Sequence, residues 1–132
     1  MPRANISTGS VYEKKVGYSR AVRIGQHVAV AGTTSMKDGS LVGVDNPAEQ
    51  TRVILDTITG ALHEAGAGVD DIIRYRIYLT DVDHWPLVAP VLSERLGHIR
   101  PANTLIGGVT LVDPQMLVEI EADAIIDAVS VD

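Results

Sequence analysis

The chain of 132 residues contains no cysteine. This absence excludes disulfide bonds, thiol nucleophiles and cysteine-ligated zinc, and it agrees with a cytoplasmic location. Because 45% of the residues are hydrophobic, a chain of this length can bury a core without a covalent or metal crosslink. We therefore expect one domain spanning residues 1–132.

Aromatic and basic residues are also scarce. The chain has no phenylalanine, one tryptophan and four tyrosines, and its formal net charge is −6. Nucleic-acid binding draws on excess positive charge and on aromatic surfaces that stack with bases, so nucleic acid is not an expected partner. No apolar run approaches the ~20 residues of a membrane span, and residues 1–18 lack the apolar core of a signal peptide, so no membrane association is expected.

Several motifs for metal and cofactor sites are missing. No HxH or HExxH spacing occurs, and neither does a glycine-rich nucleotide motif or a GxSxG serine motif. We therefore predict neither a metal nor a cofactor. The four histidines are His27, His63, His84 and His98.

Two β-prone runs are present in the first third of the chain. Residues 18–24 and 27–36 are separated by Gly25 and Gln26, a connection that suits an antiparallel hairpin. A short strand is predicted within residues 41–44, after a turn rich in polar residues and glycine.

A helix is predicted from Asn46 to Ala65, where apolar residues recur at three- and four-residue spacing. Asp45 or Asn46 can cap its first N–H groups, and Pro47 suits its first position. Gly66 can adopt the left-handed conformation that ends a helix.

The second half of the chain alternates between strand and helix patterns. Residues 72–80 predict a strand with one polar face, and residues 83–96 predict a helix that Pro90 is expected to shorten or kink. Residues 103–111 and 115–126 are predicted as the last two strands. The residues predicted to face the core in the first of these strands and in the helix are Ile73, Tyr75, Ile77, Leu79, Trp85, Val88, Leu92 and Leu96.

This order of elements predicts an α+β fold with a mixed sheet and two helices packed on one face, since strand–helix–strand crossovers are right-handed. On the last strand Glu119, Glu121 and Asp123 share one side, and they would meet Arg74 and Arg76 if the two strands were neighbours. Two interpretations of this polar face remain open. It is either a solvated surface with ion pairs worth ~0–1 kcal/mol each, or a face buried in an oligomer.

Three residues are candidates for chemistry on their own properties. Glu119 would serve as a general acid or base if an interface partly desolvated it, because burial raises the pKa of a carboxyl group. Tyr18 and Arg100 lie at the edges of predicted elements, where they could reach a small anion. A purely structural role is compatible with each of the three.

Five segments are informative in their order and spacing, and they are GYSRAV (17–22), VAVAG (28–32), DIIRYRIYLTD (71–81), RPANT (100–104) and LVEIEADAI (117–125). Together they resemble the YjgF/RidA (reactive-intermediate deaminase) superfamily, and the resemblance runs from about Val16 to Ile126. The resemblance implies a chorismate-mutase-like fold that assembles as a homotrimer with ligand clefts between subunits. It also implies hydrolysis of a small imine or enamine to a carbonyl compound and ammonia, without a cofactor.

The resemblance assigns roles to particular residues. Tyr18 matches the family's cleft-lining tyrosine, and Glu119 matches the glutamate associated with the attacking water. Ala31 occupies the position of a cleft-lining serine, and Leu105 occupies a position that often holds cysteine. These last two substitutions change the chemistry of the implied cleft.

The largest departure is at Asn103, where the family has the arginine that binds the substrate carboxylate. Thr104 follows it as in the family, and Arg100 could supply a guanidinium from a different angle or, equally, cap the second helix. Loss of a bidentate, charge-assisted hydrogen bond to the substrate forfeits ~1.5–3 kcal/mol of binding free energy. The sequence therefore predicts a RidA-like hydrolase that is not a standard 2-imino acid deaminase, or alternatively a non-catalytic trimer that binds a small metabolite.

Overall fold

The computed structural model describes residues 2–126 and contains a six-stranded mixed sheet with two long helices packed on it. The order across the sheet is β1-β2-β3-β8-β6-β7, and only the β6–β7 pair is parallel among these described strands. The strands are β1 (Arg3–Ile6), β2 (Ala21–Ile24), β3 (His27–Thr33), β4 (Met36–Lys37), β5 (Ser40–Leu41), β6 (Ile72–Leu79), β7 (Ala102–Ile106) and β8 (Val118–Ile125), and the helices are α1 (Val11–Val16), α2 (Pro47–Glu64) and α3 (Trp85–Leu96). The predicted α+β architecture is confirmed.

The hairpin and the first long helix follow their local sequence signals. β2 and β3 pair antiparallel across Gly25, whose φ is 62°. The side chain of Asn46 caps α2 by accepting the N–H of Glu49 at 3.0 Å, and Pro47 is its first residue. Gly66, with φ 87°, follows the helix in the left-handed conformation. Both predictions are confirmed.

β8 lies in the middle of the sheet, between β3 and β6. Its alternate residues Val118, Ile120, Ala122 and Ala124 are buried, whereas the acidic residues between them are half-buried on the opposite face. Arg76 lies opposite Glu121, and the two side chains form an ion pair at 3.4 Å. The predicted meeting of basic and acidic residues on one polar face is therefore confirmed.

Two residues predicted to face the core do not. Ile73 is 42% exposed because a bulge in β6 shifts the register, so Ile72 is buried in its place at 4% exposure. Trp85 is 54% exposed, since a 3₁₀ turn at Val82–His84 precedes α3 and rotates its first residue away from the core.

Three further features of the structure differ from what the sequence predicted. α3 continues through Pro90, which forfeits a single backbone hydrogen bond while the helix face carrying Val88 and Leu92 stays packed. The last two strands are shorter than predicted, because β7 ends at Ile106 and β8 begins at Val118. β1 and α1 were not predicted from the sequence.

Gln50 connects α2 to the segment that leads into β8. Its side chain is completely buried, and its amide nitrogen donates to the carbonyls of Gly43 at 3.0 Å and Gln115 at 2.9 Å. Its amide oxygen accepts the N–H of Leu117 at 2.8 Å. These three bonds fix the approach to β8 and thereby the position of Glu119.

The substitution Gln50→Leu is expected to lower the free energy of unfolding by about 3 kcal/mol, because it leaves buried backbone groups without partners. Urea denaturation would measure this difference. The exposed residue Gln115 provides the matched control, and Gln115→Leu should change stability by less than about 0.5 kcal/mol. Similar effects of the two substitutions would contradict this role of Gln50.

Candidate functional site

A cavity of about 190 Å³ lies where the segment before β2 meets β3 and the start of β8. It contains Tyr18 and Glu119, two of the residues that the sequence singled out. Its lining also includes Thr8, Ser10, Tyr12, Val16, Arg20, Gly32, Thr33, Thr34, Met36, Thr57, Val112 and Met116. Hydroxyl groups are therefore the commonest polar groups around it.

Glu119 is half-buried beside Gly32 of β3. A Cβ atom at position 32 would lie 3.1 Å from both Cδ and Oε1 of Glu119, so the glycine leaves space for the carboxyl group. Burial raises the pKa of Glu119, the Arg20 charge works against this rise, and Glu121 adds to it. A partly buried carboxyl group of this kind can act as a general acid or base toward a bound ligand.

Arg20 links the elements that surround the cavity. It is 5% exposed, and its Nη1 donates to the Gly32 carbonyl at 2.6 Å and to Thr33 Oγ1 at 3.2 Å. Its Nη2 lies 3.4 Å from Tyr18 Oη, and the guanidinium carbon is 5.5 Å from the centre of the Tyr18 ring. Because the Tyr18 hydroxyl accepts from Arg20, its own proton is free to point elsewhere.

Glu13 on α1 is the counterion of Arg20, with its Oε2 3.5 Å from Arg20 Nη2. It also accepts hydrogen bonds from Thr8 Oγ1 at 2.6 Å and Ser7 Oγ at 2.9 Å. Burial alone would raise the pKa of Glu13, but the bonds from Thr8 and Ser7 together with the charge of Arg20 hold it below its usual range. Glu13 therefore remains ionised at neutral pH.

The sequence reasoning missed both members of this ion pair. Glu13 had a visible signal, since Ser10 and Glu13 form a capping box at the start of α1. Arg20 had none, because no spacing in the sequence pairs it with Glu13 or with β3. Its role depends on residues from three different elements.

Three of the other predicted residues line a second, open groove between α3 and β7. Arg100, Asn103 and Leu105 share this groove with Tyr75 and Trp85. The Asn103 side chain lies 3.4 Å from the Tyr75 carbonyl as a hydrogen-bond donor. Within the single chain this groove is separate from the cavity that holds Tyr18 and Glu119.

The backbone around Arg100 ends α3. Arg100 has φ 53°, and its backbone N–H donates to the Leu96 carbonyl at 2.9 Å. Thr104 lies on the opposite face of β7 from Asn103, beside Arg76. Ala31 donates its N–H to the Arg20 carbonyl at 2.8 Å and accepts from Thr33 Oγ1 at 2.8 Å, so its backbone helps to position the cavity wall.

Residues 2–126 contain neither a cluster of metal ligands nor a membrane-spanning helix. No three His, Cys, Asp or Glu side chains gather in the arrangement of a metal site. None of the helices in this range combines the length and apolar character that crossing a bilayer demands.

Comparison with known proteins gives consistent matches. The family described as endoribonuclease L-PSP matches residues 10–126. An uncharacterised protein of Streptomyces coelicolor is 36% identical over 90% of this chain and 89% of its own, and a RutC family protein of Pyrococcus abyssi is 32% identical over 84% and 88%. The crystal structure of Rv2704 from Mycobacterium tuberculosis, a member of the YjgF/YER057c/UK114 family, superimposes with a TM-score of 0.86 at 46% identity, covering 95% of this chain and 100% of that one.

The Glu13–Arg20 pair predicts a specific pH dependence. Because the folded-state pKa of Glu13 lies below its ordinary value of 4.5, its stabilisation is fully present above that pH and disappears as the pH falls through the folded-state pKa. Glu13→Gln is expected to lower the free energy of unfolding by about 1–3 kcal/mol at pH 7. The difference from the wild type should shrink below pH 4.5.

Urea denaturation at a series of pH values would measure this difference. Glu94→Gln, on the exposed side of α3, is the matched control and should leave stability nearly unchanged at every pH. A loss in Glu13→Gln that stayed constant from pH 7 to acid would contradict the assigned charge pairing.

Proposed function

The chain belongs to the endoribonuclease L-PSP, or YjgF/RutC, family, and we propose that it is a hydrolase acting on a small imine or enamine. The ligand would bind in a cleft between subunits and would not be a standard 2-imino acid. The observation that carries this proposal is the shared cavity of Glu119 and Tyr18, in which the pKa of Glu119 is raised.

The two side chains suit the proton transfers of imine hydrolysis. Water adds to the C=N carbon, and Glu119 takes the proton that the water loses. That proton passes to the nitrogen, which gives a carbinolamine. A second proton then moves from the carbinolamine hydroxyl to the nitrogen through Glu119 as the C–N bond breaks, which leaves a carbonyl group and ammonia. The balance is one imine and one water consumed, and one carbonyl compound and one ammonia produced.

Tyr18 contributes to orientation in this scheme. Its hydroxyl accepts from Arg20 and can therefore donate its own proton to a nitrogen or oxygen atom of the substrate. A positioned donor of this kind stabilises negative charge as it develops on that atom. No group outside the protein and water is required.

We further propose that the protein is a homotrimer. The polar face of the sheet is half-buried in one protomer, and β7 is an edge strand with exposed residues. A closed ring of heterologous contacts would cover both and could bring the groove of Asn103 in one subunit to the cavity of Glu119 in the next. Within one protomer the Asn103 groove and the Glu119 cavity are separate, and this separation supports an arrangement in which two subunits bring them together.

Asn103 is the reason for excluding the usual substrate class. An asparagine amide can donate to a carbonyl and accept from an amide, but it carries no charge for a carboxylate. Arg100 lines the same groove and is the remaining candidate for a cation there. The part of the substrate that meets Asn103 would therefore be recognised by neutral hydrogen bonds.

A non-catalytic trimer that binds a small metabolite is the second candidate. The replacement of the family's arginine by Asn103 favours it, because a binding protein needs no catalytic alignment of a reactive carbon. An endoribonuclease activity is not proposed, since the net charge of −6 and the sparse aromatic residues disfavour RNA binding.

Restoring the missing charge tests the hydrolase directly. We expect Asn103→Arg to accelerate the decay of 2-iminopropionate, generated in a coupled assay, by about tenfold or more over the wild type. The reason is that the new guanidinium can form a bidentate, charge-assisted hydrogen bond to the carboxylate. Asn103→Gln is the uncharged control. The gain should disappear when Glu119→Gln is added and should survive Arg100→Ala.

Absence of a gain in a folded Asn103→Arg protein would favour the non-catalytic binder. A wild type that already hydrolyses 2-iminopropionate as fast as Asn103→Arg would contradict the proposed substrate class.

The trimer is tested by light scattering. The expected mass is about three times the 14.1 kDa of one chain. Ile106, 38% exposed on the polar face of the sheet, should be buried by the neighbour, so Ile106→Asp is expected to yield monomers. Val44→Asp, at a site 53% exposed outside the sheet, should leave the mass unchanged. A monomeric wild type would overturn the assembly.

A further inference from the structure

Arg20 and Glu119 are the charged residues that line the cavity among residues 2–126. A buried arginine in a ligand cavity would ordinarily suggest recognition of a carboxylate or phosphate through two parallel N–H groups. The surroundings of Arg20 do not fit that role.

The donors of Arg20 are largely directed into the protein. Nη1 donates to the Gly32 carbonyl and Thr33 Oγ1, and Nη2 faces Tyr18 Oη and Glu13 Oε2 at 3.4 and 3.5 Å. Nε is buried without a hydrogen-bond partner within the described residues. Arg20 therefore has no pair of free N–H groups with which to bind a ligand.

The charge of Arg20 is also balanced before any ligand enters. Glu13 is 5% exposed and keeps a lowered pKa, so it supplies a permanent negative charge against the guanidinium. Glu119 adds a second negative charge whenever it is ionised. The three side chains together sum to zero or to −1, and an entering anion would meet no uncompensated cation.

A buried carboxylate without a partner loses its hydration and gains nothing in return. An uncharged acceptor loses much less on entry and still finds donors, because the Tyr18 hydroxyl keeps a free proton and Thr34 lines the same wall. The cavity is therefore suited to neutral polar groups.

We infer that the cavity selects a ligand whose entering group is an uncharged carbonyl, amide or imine, and that Glu13 sets this selectivity against carboxylates by neutralising Arg20. The inference rests on the cavity's being the ligand site of the proposed function. In this arrangement Arg20 is a positioning residue that holds Tyr18 and the β3 wall. Glu13 acts from behind it without touching the ligand.

Calorimetric titration with pyruvamide and pyruvate at pH 7 tests the selectivity, because the two probes differ in the amide and carboxylate groups. Wild-type protein is expected to bind pyruvamide at least about tenfold more tightly than pyruvate. Glu13→Gln keeps the shape of the side chain but removes its charge. It should raise the affinity for pyruvate by about tenfold and change that for pyruvamide less than about threefold.

Two further variants test whether the gain in pyruvate affinity comes from the charge of Arg20. Adding Arg20→Met to Glu13→Gln should abolish the gain for pyruvate, because the freed cation is then absent. Glu94→Gln, on the exposed side of α3, should leave both affinities as in the wild type. Circular dichroism and thermal melting would establish that each variant is folded.

Equal or tighter binding of pyruvate by the wild type would overturn the inference, and so would binding of neither probe. A folded Glu13→Gln protein without a gain for pyruvate would also overturn it. The outcome is distinct from that of the hydrolase assay. Selective binding of pyruvamide without turnover of any imine would remove the hydrolase and leave the selectivity intact.

Discussion

The placement of β8 between β3 and β6 is the constraint on which the rest of the molecule depends. Alternate residues of this one strand build both the hydrophobic core and the polar face. Ile120 is completely buried, while Glu119 and Glu121 on either side of it face the other way. If β8 paired one residue out of register, its apolar and acidic side chains would exchange faces. The register that buries the core therefore also places Glu119 at the candidate site.

The electrostatics of the cavity are set before a ligand arrives. A buried ion pair is stabilising only when hydrogen bonds satisfy its remaining donors and acceptors. Ser7 and Thr8 do this for Glu13, and the Gly32 carbonyl and Thr33 Oγ1 do it for Arg20 Nη1. Arg20 Nε is left without a partner among the described residues. Burial raises the pKa of Glu119 and the Arg20 charge opposes that rise. In the proposed trimer Asn103 would add a neutral group to this cavity. Loss of the family's arginine thus agrees with a site organised for uncharged ligands.

Sequence periodicity predicted the elements whose burial is one-sided, such as α2 and the polar face of β6 and β8. It failed where one residue breaks the period, as at Ile73 beside a bulge and Trp85 after a 3₁₀ turn. The resemblance identified Tyr18 and Glu119 as cleft residues, and the structure brings them to one cavity. Arg20 was invisible because its contacts with Glu13 and Gly32 arise only when separate segments meet.

A crystal structure of the assembled protein with pyruvamide bound would test the location of the site most directly. We expect the amide within hydrogen-bond distance of Tyr18 Oη and the Glu119 carboxyl group of one subunit, with Asn103 of a second subunit facing it. A ligand bound elsewhere would contradict the proposed site, as would a trimer in which Asn103 and Glu119 lie on separate surfaces.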